Sequence, residues 1–334
     1  MKSLYGATIY LSSAGSLFTV EAGVTLKLDS GITLNGGDFY STKEEPYCFE
    51  INEPIVVVNT GGTLVMRERS AIIHDDSILS CSNNNANGVL INGGTFIMNG
   101  GEICNNNAEI GGGVYVKSGT FTMNDGVIDS NEAQNGGGGV YVENGTFTMY
   151  GGQIGDTYYS NSASISGGGV YVENGTFTMY GGKINNNKAR GFTDDYKPPI
   201  NGGGVYVAGT FTMEKGEIFG NYDDYLYYGG GVFVDDTGIF NMKGGNIYGN
   251  FACYYGGGVY VLTLGTFTKS GGTIYGDYGN SDPKSNYYSA VYVFISEMPM
   301  FNLLRNNTVG PNDSLSYNGT TGKTSGYWDN PSVP

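Results

Sequence analysis

Acidic side chains are the residues of this chain that are best suited to catalysis. The chain has 334 residues with 31 Asp and Glu, 16 Lys and Arg, and a single histidine. Paired carboxylates, or carboxylates that hold calcium beside a basic residue, can cleave polysaccharides. Because the candidates fall in irregular stretches between regular repeats, we expect no enzyme, with a polysaccharide lyase or hydrolase as the alternative. These candidates are Asp194, Asp195, Asp223 and Asp224, with Arg190 or Lys197.

The sequence lacks the combinations of residues that a catalytic triad or a zinc site needs. His74 stands beside Asp75 and Asp76, and we expect it to be exposed in a turn rather than part of a triad. The cysteines form no Cys-x-x-Cys pair, so no zinc site is predicted. Cys81 and Cys104 could form a disulfide between neighbouring coils, with buried thiols as the alternative. We expect no cofactor, with calcium as the one ion that an acidic surface could take.

Tyrosine and aspartate are concentrated in the stretches whose length differs from repeat to repeat. Tyrosine rings can stack on sugars, and carboxylates can accept hydrogen bonds from sugar hydroxyls. A loop layer that only covers the sheet is the alternative interpretation. The candidate binding residues are Tyr158, Tyr159, Asp194, Asp195, Tyr196, Tyr222, Asp223, Asp224, Tyr225, Tyr227, Tyr228, Tyr254 and Tyr255.

The elements that must position these side chains form an internal repeat. Gly-Gly-Gly-Val-Tyr-Val at 111–116 recurs along the chain, and most copies are followed by Gly-Thr-Phe-Thr-Met. The phenylalanines of this block are 25, 26, 30, 34, 29 and 27 residues apart, and an isoleucine follows each one seven residues later. Such a period indicates a solenoid in which each repeat is one coil. The phenylalanines are Phe96, Phe121, Phe147, Phe177, Phe211, Phe240 and Phe267.

Three strand signals per period, separated by Gly or Asn, predict an all-β fold. We expect a right-handed, single-stranded parallel β-helix with about 25–35 residues and three short strands per coil. Alternation places Val, Val, Phe, Met and Ile of each coil inward. Residues 1–54 are assigned to an N-terminal cap and irregular first coils, 55–295 to the repeats, and 296–334 to a C-terminal cap or tail.

Three further rows of side chains repeat with the coils. Asparagine stands three positions after most third-strand isoleucines, where it can turn the chain and bond the coil above. A tyrosine stripe and a double row of threonines are expected to point outward, and the threonine row resembles the ice-binding face of some antifreeze solenoids. We therefore keep ice binding as a remote alternative. The predicted asparagine ladder is Asn106, Asn131, Asn187, Asn221 and Asn250, with Thr157 and Asp277 at the equivalent positions of the remaining coils.

The charge of the chain restricts its partners. A formal net charge of −15 disfavours nucleic acids and anionic membranes. No apolar stretch approaches the roughly 20 residues of a membrane-spanning helix. The expected partners are a second copy of the chain, meeting it end to end or side by side, or a protein or glycan of a host or cell surface.

One motif pair resembles a known family. Ile128-x-x-Asn131-x-Ala133, followed by Gly137–Val142, resembles the paired motifs of bacterial polymorphic outer-membrane proteins and related adhesin passengers. In that family Phe stands where this chain has Ile, and Ala follows two glycines where this chain has a third. The resemblance covers roughly residues 55–295 and implies an exported, surface-exposed β-helix. We expect a non-catalytic, extracellular structural or adhesive protein, either a surface adhesin or a filament subunit, with a carbohydrate-active or glycan-binding β-helix as the alternative.

Overall fold

The computed structural model describes residues 6–11, 15–38, 52–74, 85–156, 160–190, 201–223, 228–276, 289–294, 303–305, 309–321 and 323–328. These residues form strands, turns and bends, with no helix among them. Within the same ranges no helix is long and apolar enough to cross a membrane. The predicted all-β parallel solenoid is confirmed, with about eight turns.

The strands are short, apart from two of 16 residues that each run along three faces of a coil. The first ones are β1 (Ala7–Leu11), β2 (Phe18–Val20), β3 (Thr25–Leu28), β4 (Ile32–Asp38), β5 (Val56–Asn59), β6 (Thr63–Met66), β7 (Ala71–Ile73), β8 (Val89–Cys104), β9 (Asn107–Ile110), β10 (Val114–Asp129) and β11 (Glu132–Gly136). Next come β12 (Val140–Val142), β13 (Thr146–Met149), β14 (Gln153–Ile154), β15 (Ser162–Ala163), β16 (Val170–Val172), β17 (Thr176–Met179), β18 (Lys183–Asn185), β19 (Lys188–Ala189), β20 (Val205–Val207), β21 (Thr210–Met213) and β22 (Glu217–Phe219). The last are β23 (Tyr222–Asp223), β24 (Val232–Val234), β25 (Ile239–Met242), β26 (Asn246–Tyr248), β27 (Val259–Val261), β28 (Thr266–Lys269), β29 (Thr273–Ile274), β30 (Val291–Val293), β31 (Leu303–Arg305), β32 (Leu315–Asn318) and β33 (Lys323–Ser325).

Equivalent strands of successive coils pair in parallel and in register, which gives the solenoid three faces. The first face carries the Val-Tyr-Val strands, from β2 and β5 through β12 and β16 to β30. The second carries the Thr-Phe-Thr-Met strands, from β3 to β28, and the third carries the isoleucine strands, from β1 to β29. The long strands β8 and β10 each contribute to all three faces.

The core contains the side chains that alternation predicts. In the coil that begins at Val114, the side chains of Val114, Val116, Phe121, Met123 and Ile128 are completely buried. The phenylalanine rings stack from coil to coil with centroids between 4.6 and 5.5 Å apart. Because the rings repeat at about the spacing of paired strands, burial and hydrogen-bonded pairing reinforce each other.

The glycine triplet before six of the first-face strands, from β10 to β27, has a steric cause. Gly111 has a φ of 63°, in the left-handed region that favours glycine. A Cβ on Gly112 would lie 2.4 Å from the carbonyl oxygen of Glu132, and a Cβ on Gly113 would lie 2.7 Å from that of Gly139. The first glycine therefore makes the turn, and the next two allow neighbouring coils to approach closely.

A fourth, shorter ladder was not expected from the sequence. Strands β9, β11, β15, β19 and β23 pair in parallel between the third face and the next glycine triplet. Ala108, Ala133, Ala163 and Ala189 occupy equivalent places in it and are buried. The variable part of these five coils therefore contains a regular element, and in four of them a small buried alanine lies where the chain returns toward the first face.

Antiparallel strands cover the C-terminal end of the parallel ladders. Strand β31 pairs with β30 on the first face, β32 pairs with β28 on the second, and Val309 bridges Ile274 on the third. Lys269 occupies the core position that methionine holds in preceding coils, paired directly with Met242, and its side chain is almost completely buried. Its ammonium group donates to the carbonyl oxygens of Gly310 (2.7 Å) and Asp313 (2.8 Å). The core thus ends in a charged group that ties the last coil to the covering segment.

Candidate functional site

The outward side chains of the first face form a stacked aromatic row, which we call the tyrosine stripe. Neighbouring rings lie 4.5 to 5.7 Å apart, and all contacts except the first, which is edge to face, are stacked. Their faces are therefore occupied by each other, and ring edges and hydroxyl groups point outward. The stripe consists of Tyr115, Tyr141, Tyr171, Tyr206, Phe233, Tyr260 and Tyr292.

Three tyrosine hydroxyls of the stripe bond to acidic residues that follow the next first-face strand. Tyr115 donates to Glu143, Tyr141 interacts in the same way with Glu173, and Tyr206 with Asp235. The pKa values of Tyr115, Tyr141 and Tyr206 are raised above the ordinary range, chiefly by burial and further by these carboxylates. The phenols therefore stay protonated as donors, and the carboxylates keep lone pairs for other hydroxyl groups.

A second row of residues forms a wall beside the stripe. This edge row is linked from coil to coil by single parallel bridges and changes in size along the solenoid. At the N-terminal side its small side chains leave a groove of about 340 Å³ above Tyr141, Tyr171 and Tyr206, with Asp235 on its rim. At the C-terminal side its tyrosines lie on the stripe and fill the same space. The edge row consists of Gly136, Ser166, Asn201, Tyr228 and Tyr255.

The structure brings three predicted binding residues together at the filled end of the groove. Tyr228 stacks on Tyr260 with centroids 4.5 Å apart, and Tyr255 stacks on Tyr292 at 4.4 Å. Tyr254 lies 6.3 Å from the ring of Tyr228 and is 47% exposed, while Tyr255 is 44% exposed. This cluster offers accessible aromatic surface, which the stacked stripe alone does not.

Two other predicted binding residues, Tyr222 and Asp223, lie in a different part of the coil. Tyr222 belongs to β23, where the Lys188 ammonium lies 5.1 Å from its ring centre, and Asp223 is its neighbour in that strand. The predicted residues that lie outside the described part of the chain are Tyr158, Tyr159, Asp194, Asp195, Tyr196, Asp224, Tyr225 and Tyr227. Cys81 also lies outside it and Cys104 is buried, so the Cys81–Cys104 disulfide and its alternative, buried thiols, both stay predictions.

Buried asparagines line the corner after the third face. From Asn106 to Asn221, each amide Nδ2 donates to Oδ1 of the asparagine one coil further on, at 2.9 to 3.0 Å. From Asn131 to Asn250, each Nδ2 also donates to the carbonyl oxygen of an isoleucine one coil back, at 2.8 to 3.0 Å. These contacts satisfy polar groups inside the solenoid and leave no donor facing solvent. The ladder consists of Asn106, Asn131, Asn161, Asn187, Asn221 and Asn250.

Two members of this ladder were missed in the sequence. Asn161 bridges Asn131 and Asn187 and therefore holds the ladder position that constant spacing had assigned to Thr157. The pattern Asn161-x-Ala163, which repeats Asn131-x-Ala133, was the signal that identifies it. His74 is 2% exposed rather than an exposed turn residue, and its Nδ1 lies 3.0 Å from Oδ1 of Asn106. His74 therefore continues the ladder, because an amide oxygen only accepts and the ring nitrogen must donate.

Glu102, Cys104 and Asp129 form a second polar group, at the outer side of the same corner. Their ligand atoms lie within 4.8 Å of one another. Burial raises the pKa of Asp129 to about 7, with further contributions from the carboxylates of Glu102 and Asp156. The sequence analysis did not predict this group, because Cys104 has no cysteine or histidine at metal-ligand spacing beside it.

Comparison of the chain with protein-family models, with curated proteins and with solved structures gives no match.

Proposed function

We propose that this chain is a non-catalytic, adhesive β-solenoid of a cell surface or the extracellular space, and that it binds a neutral glycan along the groove beside the tyrosine stripe. The observation that carries the proposal is the change in the edge row, from Gly136, Ser166 and Asn201 to Tyr228 and Tyr255. It leaves a groove of about 340 Å³, in which the polar side chains of Ser166, Asn201 and Asp235 lie beside the aromatic rings of the stripe. This volume lies in the range of small-ligand sites.

The chemistry of the groove favours sugars over charged polymers. The carboxylate of Asp235 lines the groove and can accept hydrogen bonds from sugar hydroxyls, and Tyr254 can pack against the apolar face of a pyranose ring. The net charge of −15 opposes sulfated or phosphorylated chains. The resemblance to bacterial surface repeats agrees with an exported adhesive role. Antiparallel strands cover the last coils and favour this role over a filament built end to end. They leave fewer unpaired strand edges with which a second copy could pair.

The test is binding of the purified chain to an array of neutral oligosaccharides, with heparin as the polyanionic comparison. Ser166→Tyr places in the open groove the side chain that fills it further along, and should abolish binding. Tyr254→Ala should weaken binding at least tenfold. Tyr150→Ala is the matched control, because Tyr150 is similarly exposed, at 55%, and stacks on Tyr180 outside the groove.

Loss of binding in Ser166→Tyr and Tyr254→Ala, with binding retained in Tyr150→Ala, would support the proposal. Absence of binding to every neutral glycan, or binding that both groove variants leave unchanged, would refute it. Circular dichroism and thermal melting of each variant separate blocked binding from misfolding.

A further inference from the structure

Strand geometry places the side chains of Glu102, Cys104 and Asp129 on one side of the third face. Glu102 and Cys104 are two residues apart in β8, and the completely buried Ile103 lies between them. Alternation therefore points both polar side chains away from the core. Asp129 ends β10 and pairs directly with Cys104, so its side chain is the next one along the solenoid axis. Two carboxylates and a thiol converge by position alone.

The environment of Asp129 indicates that this group is incomplete without a ligand. Asp129 is only 5% exposed, and its Oδ1 has no hydrogen-bond partner among the residues that the structure describes. An unsatisfied buried carboxylate oxygen is costly, and a bound cation removes that cost. Cys104 is 8% exposed, and the Asn105 amide Nδ2 lies 3.8 Å from its sulfur, where it can stabilise a thiolate.

We propose that Glu102, Cys104 and Asp129 bind a divalent cation of the zinc type. The thiolate selects the metal, because zinc accepts sulfur, nitrogen and carboxylate ligands, whereas calcium takes six to eight oxygens. Three protein ligands and one open position form a common zinc arrangement. Glu102 is exposed, so solvent reaches the open position.

The dimensions fit after a small adjustment. Zinc binds oxygen at about 2.1 Å and sulfur at about 2.3 Å, which brings tetrahedral ligands to about 3.5 Å from one another. In the structure the three ligand atoms lie within 4.8 Å of one another. Because Asp129 and Cys104 are fixed on paired strands, the exposed side chain of Glu102 must close most of the difference, roughly 1 Å.

The test is a calorimetric titration of the full chain with zinc chloride in a buffer that contains a non-thiol reductant. Cobalt serves as a second probe, because a thiolate ligand gives a sulfur-to-cobalt charge-transfer band. The ligand variants are Cys104→Ser, Asp129→Asn and Glu102→Gln. Cys253→Ser and Asp125→Asn are matched controls, because Cys253 lies in a distant coil and Asp125 is an exposed acid of the same coil as Asp129.

We expect one zinc per chain and a cobalt–thiolate band. Cys104→Ser should remove the band, and each ligand variant should weaken zinc binding at least tenfold, whereas the controls should bind as the parent does. Glu102→Gln keeps the test decisive if a buried variant misfolds, because its side chain is exposed. No saturable binding at micromolar zinc, or binding that Cys104→Ser and Glu102→Gln leave unchanged, overturns the proposal.

Discussion

Replacing Asn161 with alanine should destabilise the solenoid by about 4 kcal/mol. The Asn161 side chain accepts from the backbone N–H (3.1 Å) and Nδ2 (3.0 Å) of Asn131, and donates to Ile128 O (2.8 Å) and Asn187 Oδ1 (2.9 Å). Ile128 O keeps the amide of Gly155 as a donor, and Nδ2 of Asn131 keeps two carbonyl partners. The Asn131 N–H and the Asn187 Oδ1 lose their observed partners, and each such buried group costs about 1–3 kcal/mol.

The measurement is guanidinium unfolding followed by circular dichroism, read as the change in free energy of unfolding. Asn144→Ala is the control, because this exposed turn asparagine should stay within about 0.5 kcal/mol of the parent. Asn161→Asp keeps the acceptor but faces Ile128 O and Asn187 Oδ1 with a second oxygen. It should therefore be destabilised at neutral pH and recover in acid, where a protonated carboxyl can donate. A loss below about 1 kcal/mol for Asn161→Ala would refute the account of the ladder.

Three further predictions follow from buried groups. Burial and two carboxylates raise the pKa of Asp129 from 3.8 to about 7. The free energy of unfolding is therefore not reduced by this carboxyl group below pH 4, and it is reduced increasingly as the pH rises toward 7. In EDTA, Asp129→Asn should remove a pH-dependent loss of stability of about 2–4 kcal/mol over that range, measured as the difference between the unfolding curves of parent and variant. Lys269→Met should loosen residues 309–321 but not the coils, because two hydrogen bonds to Gly310 and Asp313 disappear; amide hydrogen exchange of that segment would show it, and unchanged protection would contradict it. Phe177→Ala should cost about 3–5 kcal/mol, because a completely buried ring stacked on both sides leaves a cavity, whereas Tyr180→Ala, at an exposed ring of the same coil, should cost far less in the same melting experiment.

The sequence was sufficient to predict the core and the stacking direction. Val114, Phe121, Met123 and Ile128 repeat at fixed separations, and strand alternation leaves one arrangement that buries them together. Constant separations fail where the number of residues between strands varies, which is why Asn161 holds the ladder position that spacing assigned to Thr157. A short local pattern specifies this corner better than its distance from the isoleucine does.

Features that depend on contacts between coils could not be predicted from one repeat. The tyrosine stripe points away from the core, as alternation predicts, but its burial depends on the edge row, which belongs to another part of each coil. His74 has no repeat equivalent, and only its place at the end of the asparagine ladder explains its burial. The groove arises because residue size increases along the edge row from coil to coil, and no motif within a single coil predicts such an increase.

Pairing of coils in register also makes the length of this protein adjustable in whole units. Residues 140–152 and 170–182 are identical, and their strands pair position for position. Unequal recombination between the corresponding stretches of the gene would add or remove one coil, and the new neighbours would meet the same partners at every rung. Whole coils could therefore be gained or lost during evolution while both terminal segments stay the same. The distance between the two ends of the solenoid would then vary, and its cross-section would not.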